Sequence, residues 1–226
     1  MTYWEFFRST MPLFLNGAVV TLKISAVALV IGFVVGIPLA FIQLYGSRLP
    51  RILATAYVEF MRGTPLMVQL FVIYYGLPQF GIVFSSTFSA FLALGLNSAA
   101  YQAEYFRGAI LAVGERQMIA ARSIGMSKLQ AIRCIMLPQA VRIALPSWSN
   151  EAIYMIKNTA IVYMIAVPEL MAQASKLTTK YYNPVESYST VAIYYLVIVG
   201  VLSLLFALIE KKARIPTLQA ETSKKK

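Results

Sequence analysis

Long apolar runs alternate along this chain with short polar, mostly basic stretches. Taking ~20 mostly apolar residues as one bilayer crossing, the pattern predicts five membrane helices, at about 14–44, 52–77, 90–113, 143–167 and 188–209. The first run is longer than a crossing needs and carries Lys23, whose aliphatic stem can snorkel toward a boundary. It also holds Pro38, and Gly32 and Gly36 in the Gly-x-x-x-Gly spacing that lets two helices approach closely. Before it, residues 1–13 mix Trp4, Phe6 and Phe7 with Glu5 and Arg8, as an interfacial segment does, and have no signal-peptide cleavage pattern. The second run contains a helix-breaking cluster, Gly63-Thr64-Pro65, beside Glu59 and Arg62. A charge-free loop is expected at 78–89 and a Tyr-rich polar loop at 169–187. The expected fold class is an all-α integral membrane protein: one transmembrane domain, 1–226, with a five-span core at 14–210 and a basic tail at 211–226.

One stretch breaks the apolar pattern without ending it. Residues 114–140 are polar, basic and interrupted by Gly125, which suits the left-handed position just past a helix end. Ser127 followed by Gln130 has the spacing of a capping box and opens a second helix. That helix carries Leu129, Ile132, Ile135 and Met136 on one side, and Pro138 is expected to close it. A helix pair of this kind between two spans is shaped to be held by something outside the bilayer.

Composition agrees with the pattern. Of 226 residues 59% are hydrophobic and 13% charged, with mean hydropathy +0.68, whereas soluble domains average about 45–50% apolar and about 25% charged. The chain has no His and, since all nine acids are Glu, no Asp, which removes His-ligated metal sites and His-dependent triads. The lone Cys134 implies no disulfide framework. A net charge of +11 invites thoughts of nucleic acid, but the cations sit in short loops where the positive-inside rule accounts for them. Arg48, Arg51, Arg116, Arg122, Lys128, Arg133, Arg142, Lys211, Lys212, Arg214 and the terminal lysines fall on one side of a five-span arrangement. Arg8, Lys176 and Lys180 fall on the other. The first side is then cytoplasmic, the N-terminus outside and the C-terminus inside.

Charges within a bilayer cost at least ~2.5–3.5 kcal/mol each, so each intramembrane charge calls for a role. Glu59-x-x-Arg62-Gly63 and Glu104-x-x-Arg107-Gly108 repeat one arrangement, in which Glu and Arg share a helix face and neutralise each other. These read as structural ion pairs that can also trade partners during gating. In the fourth span Glu151 and Asn158 are seven apart and point the same way, about 10 Å from each other. A carboxylate for an α-ammonium and an amide for a polar side chain suit a zwitterionic amino acid, with Asn97 and Ser98 of the third span adding hydrogen bonds. Polar adhesion between helices is the competing reading of the same residues.

Four separated elements of the insert, Ala120-Ala121, Gly125, Ile135 and Leu137-Pro138, resemble the coupling motif by which ABC importer permeases dock on their ATPase subunits. The family usually has Glu before the two alanines; here the position is Ile119. The stretches 59–70, 100–110, Leu137-Pro138-Gln139-Ala140, Lys157-Asn158-Thr159 and Pro168-Glu169-Leu170 are similar to the polar amino-acid branch of that family. The resemblance covers about 16–210. It implies the type I importer permease fold, two ATPase partners that carry ATP and Mg, a second permease, identical or homologous, and an extracytoplasmic binding protein. It also implies that Asn97, Glu151 and Asn158 line the amino-acid pocket. Family members often have Asp where Asn158 stands and Ser where Ala160 stands, and losing that carboxylate argues against a strict preference for arginine or lysine. The chain has no Gly-x-x-x-x-Gly-Lys-Ser/Thr phosphate loop, so no ATPase motif or cofactor of its own is expected. An ion-coupled secondary transporter would also explain intramembrane charges, but such folds usually need more spans or inverted repeats. A structural membrane scaffold leaves the polar fourth span unexplained.

Overall fold

The computed structural model describes residues 2–213, which are helical almost throughout. Arg214 and the terminal lysines of the basic tail lie outside the described residues. Helix α1, Tyr3–Tyr45, opens with a reciprocal capping box in which Glu5 N donates to Thr2 Oγ1 and Thr2 N donates to the Glu5 carboxylate. It runs unbroken for 43 residues, about 65 Å at 1.5 Å per residue. The interfacial segment expected at 1–13 is therefore the first part of the same helix, held by Phe6 and Phe14 in the core and by Phe7 stacked on Tyr194.

The expected second span is two pieces. Helix α2, Arg48–Gly63, buries only Ala54, Val58 and Met61, and ends where Thr64 and Pro65 turn extended. Helix α3, Leu66–Phe71, continues through a π turn, Val72–Gly76, into a 3-10 turn, Leu77–Phe80. Helix α4, Ser86–Val113, is the centre of the bundle, packed on α1, α2, α3 and the helix at Leu137–Asn158, and buried along most of its length. The Gly-x-x-x-Gly expectation holds in its physical sense. A Cβ on Gly32 would lie 2.8 Å from Ser98 Oγ, and one on Gly36 would lie 2.8 Å from the Ala99 carbonyl oxygen.

Helices α5, Glu115–Ser123, and α6, Lys128–Ala131, form the insert. Pro138 does not close the second of them. The chain stays helical through a π turn, Ile132–Met136, into α7, Leu137–Asn158, and a 3-10 turn, Thr159–Ile165. The reason is local: proline lacks an N–H and its ring clashes with the carbonyl four residues back. The wider π turn, with Leu137 N donating to Ile132 O, absorbs that ring. Leu77-Pro78 repeats the device, with Leu77 N donating to Val72 O.

The polar loop expected at 169–187 is mostly helix α8, Leu170–Tyr181, which buries Leu170, Ala174 and Leu177. Its N-cap is Glu169, fully buried, whose carboxylate accepts from Ala172 N at 2.7 Å and from the Tyr195 hydroxyl at 2.9 Å. Helix α9, Pro184–Ala213, closes the bundle. Among the described residues, only α1 and α9 qualify alone as crossings by length and composition, and Lys128–Ile165 with Leu170–Tyr181, bent by 48°, could form one more. The other expected spans are either broken by Thr64-Pro65 or, as α4, polar because they face protein. Exposed apolar side chains on α9 (Leu196, Val201, Leu204, Leu208) and on α1 (Val19, Val30, Val34) are those of a surface that meets lipid or another subunit.

Candidate functional site

Where α4 crosses α7, five polar side chains form a chain, with Gln102, Ser98 and Glu151 buried and Trp148 and Tyr105 half-buried. Trp148 Nε1 donates to Gln102 Oε1 at 2.9 Å, and Gln102 Nε2 donates to Ser98 Oγ at 3.0 Å and to the Leu29 carbonyl at 3.1 Å. Ser98 Oγ in turn donates to Glu151 at 2.9 Å, and the Tyr105 hydroxyl donates to the other carboxylate oxygen at 3.3 Å. Glu151 is 2% exposed, and the ion pairs among the described residues do not include it. Among the described residues this buried carboxylate is thus held by neutral hydrogen-bond donors.

One turn away lies a cavity of about 290 Å³, bounded by Arg62 and Pro65 at the α2–α3 break, Asn97 and Tyr101 of α4, and Tyr154 and Asn158 of α7. The break is built by side chains. Gln69 Nε2 donates to the Met61 carbonyl at 2.8 Å and to the Thr64 carbonyl at 3.1 Å, satisfying acceptors that the lost helical turn would have paired. Asn97 Nδ2 donates to Met61 O at 3.2 Å and to Gln69 Oε1 at 3.1 Å. Four expected site residues thus fall in two adjoining groups: Asn97 and Asn158 on the cavity wall, Ser98 and Glu151 buried in the chain behind it. Asn97 has a structural occupation as well, since its amide fixes the break.

The repeated Glu-x-x-Arg segments differ in the fold. Arg107 forms a two-pronged pair with Glu104, at 2.9 and 2.7 Å. Glu59 and Arg62, expected to pair, do not: Glu59 is exposed, while Arg62 lies 3.7 Å from Glu104 and 5.5 Å above the Tyr101 ring. Arg62 prefers the carboxylate already placed beside an aromatic face, because α2 ends there and turns its last residues toward α4.

At the insert, Gly125 has φ +87°, and the chain closes α5 with a paired cap: Gly125 N donates to Arg122 O and Met126 N donates to Ala121 O. Ser127 and Gln130 exchange their capping bonds, at 3.2 and 2.8 Å. Ala121 is buried, Ala120 and Pro138 are exposed, and Ile135 and Leu137 are half-buried. Ile119, Ile124 and Leu129 stand out as exposed apolar groups among Arg122, Ser123 and Lys128. Sequence reasoning missed Gln102, Tyr105, Trp148, Gln69 and Glu169. Their signal was polarity inside apolar runs, yet polarity alone does not reveal which helices meet.

A bundle with helices broken around a buried polar site, and a capped helix pair projecting from it, defines a membrane transport subunit. The chain belongs to the family of binding-protein-dependent transport system inner membrane components, whose model matches residues 32–215. It is 40% identical over 209 residues to the nopaline transport system permease protein of Agrobacterium fabrum, covering 88% of this chain and 87% of that one. It is 34% identical to the glutamine transport system permease protein of Escherichia coli strain K12, covering 94% and 98%. Among solved structures, a crystal structure of an amino acid ABC transporter with histidines superposes with a TM-score of 0.88 at 37% identity, covering 94% of this chain and 99% of that one.

Proposed function

We propose that this chain is the permease subunit of an ABC importer for a polar amino acid, in the five-span type I arrangement. The N-terminus lies outside and the C-terminus in the cytoplasm. The observation that carries this reading is the buried Glu151 carboxylate, unpaired among the described residues, one turn from a cavity whose wall holds Arg62. Such a site has opposite charges for the two ends of a zwitterion. Glu151 receives the α-ammonium, Arg62 leaves Glu104 to meet the α-carboxylate, and Asn97 and Asn158 take a polar side chain. Ser98 holds Glu151 in place.

An extracytoplasmic binding protein delivers the amino acid. Two ATPase subunits, each with ATP and Mg, grip the insert at Ala120, Ala121, Gly125, Ile135, Leu137 and Pro138, and their closure moves α5 and α6. The exposed Ile119, Ile124 and Leu129 support a protein partner there. The helix that stays continuous from Lys128 to Asn158, through the π turn at Ile132–Met136, supports direct transmission, since no loop interrupts the path from its start to Asn158. A second permease, identical or homologous, completes the pathway. The ion pairs of Arg62 and Arg107 with Glu104, and the exposed Glu59 nearby, serve as partners exchanged between the inward-open and outward-open states.

The test is ATPase stimulation in the reconstituted complex, screened across the amino acids with its binding protein. A subset of polar amino acids should stimulate hydrolysis, and Glu151→Ala should abolish the stimulation while leaving basal hydrolysis in place. Stimulation by none, or equal stimulation of the variant, contradicts the assignment.

A further inference from the structure

A second cavity, of about 460 Å³, shares no residue with the one beside Asn158. It lies behind the insert, where Leu44 and Tyr45 end α1 and Ile110 and Leu111 end α4. Met118, Ile119 and Met136 extend its apolar wall, and its two cations are Arg122 and Lys128. Both cations are held in position. Lys128 Nζ sits 4.9 Å above the Tyr45 ring, and Arg122 donates to the Met126 carbonyl at 3.3 Å. Neither has an acidic partner among the described ion pairs. The surroundings offer little neutralisation, because residues 105–150 contain six cations and a single acid, Glu115.

An apolar cavity whose two cations have no acidic partner among the described ion pairs is unfavourable on both counts when hydrated, and one ligand chemistry relieves both. A free phosphate would answer the cations and leave the wall wet. A neutral hydrocarbon would do the reverse. An amphiphilic anion satisfies cations and wall together, and the volume lies within the ~300–1,000 Å³ usual for small-ligand sites. We propose that this cavity binds an anionic phospholipid of the inner leaflet, its phosphate between Arg122 and Lys128 and its upper chain segments against Leu44, Ile110 and Met136. The inference rests on the reading above that the insert faces the cytoplasm, where anionic lipids attract basic residues at the membrane surface. A lipid seated there bridges the insert to the ends of α1 and α4, the helices it must move against, so occupancy sets how firmly the insert is joined to the bundle.

The experiment is native mass spectrometry of the full complex, permeases with ATPases, in detergent with added phosphatidylglycerol or phosphatidylcholine. The wild type should retain phosphatidylglycerol in preference to phosphatidylcholine. R122Q/K128Q should weaken that retention roughly tenfold or more, at about a fivefold effect per basic residue near a membrane surface, while R122K/K128R should keep it. Equal retention by R122Q/K128Q overturns the site. So does displacement of the lipid by millimolar inorganic phosphate, which would make it a simple anion site, or retention by the permeases alone that is lost in the full complex, which would make the cavity the ATPases'. Uptake measured on the same preparations separates the two claims. Charge-dependent retention without amino-acid uptake leaves the lipid site standing and removes the transport reading; normal uptake with unchanged retention does the opposite.

Discussion

Glu151 is the residue on which the chemistry turns. Two neutral donors, Ser98 and Tyr105, hold its carboxylate, and in the proposed role its remaining acceptor capacity meets an ammonium group. Glu151→Gln keeps the shape and one acceptor but removes the charge. Charged hydrogen bonds contribute about 1.5–3 kcal/mol, so uptake in proteoliposomes should fall roughly tenfold or more, with assembly of the complex on size exclusion unchanged. Gln69→Leu tests the other half of the site. It leaves the Thr64 carbonyl without its donor and takes an acceptor from Asn97 Nδ2, each at a cost of about 1–3 kcal/mol, and leaves Met61 O with Asn97 as its remaining side-chain donor. The thermal midpoint of the purified permease should drop by several degrees; an unchanged midpoint would mean that the α2–α3 break is held by something else. The sequence made Glu151 and Asn158 visible, because a carboxylate and an amide in an apolar run are costly and their spacing puts them on one face. It did not reveal Gln102, which looks like any polar residue in a helix until α1, α4 and α7 are seen converging on it.

At the scale of elements, glycine and proline mark the places where the fold departs from simple spans. Gly36 lets α1 lie against the α4 backbone, where an added Cβ would meet the Ala99 carbonyl oxygen at 2.8 Å. Gly36→Leu should therefore force α1 and α4 apart and destabilise the permease by about 1–3 kcal/mol, the usual cost of overpacking, read as a lower thermal midpoint. An exposed Gly such as Gly200, with open space around it, should accept the same change without loss. Gly63-Thr64-Pro65 was legible as a break, since no plain span contains it. Pro138 was misread for an instructive reason: proline signals either an end or a distortion, and only the π turn at Ile132–Met136 tells that the helix goes on. Helix α8 was hidden in a segment polar enough to pass for a loop, because its apolar face is narrow, limited to Leu170, Ala174 and Leu177.

For the whole molecule, orientation decides whether an ATPase can reach the insert. Cys134, the one cysteine in the chain, is exposed just beyond α6, which makes it a ready reporter. A membrane-impermeant maleimide should label it in inside-out vesicles and leave it unlabelled in right-side-out ones, with Cys134→Ser as the blank. Labelling from the outside would invert the topology and remove the coupling role. The overall class was legible early, from apolar runs and from the asymmetry of basic residues, both being consequences of the bilayer as solvent. The number of independent crossings was not, since α4 is polar along the face it turns to its neighbours and α2 is amphipathic.

In the proposed mechanism, motion of a hydrolysing partner enters at the Gly125 joint and reaches the Glu151 site along the continuous helix from Lys128 to Asn158. Gly125 sits at φ +87° with open space around it, so Gly125→Val strains the backbone of the joint without a steric clash elsewhere. The most direct measurement is the number of amino acids taken up per ATP hydrolysed in proteoliposomes, for wild type and for this variant. This route predicts continued hydrolysis and unchanged affinity for the binding protein, with the ratio falling at least about tenfold, in line with ~1–3 kcal/mol of backbone strain at the joint. A variant that transports with the wild-type ratio would contradict it.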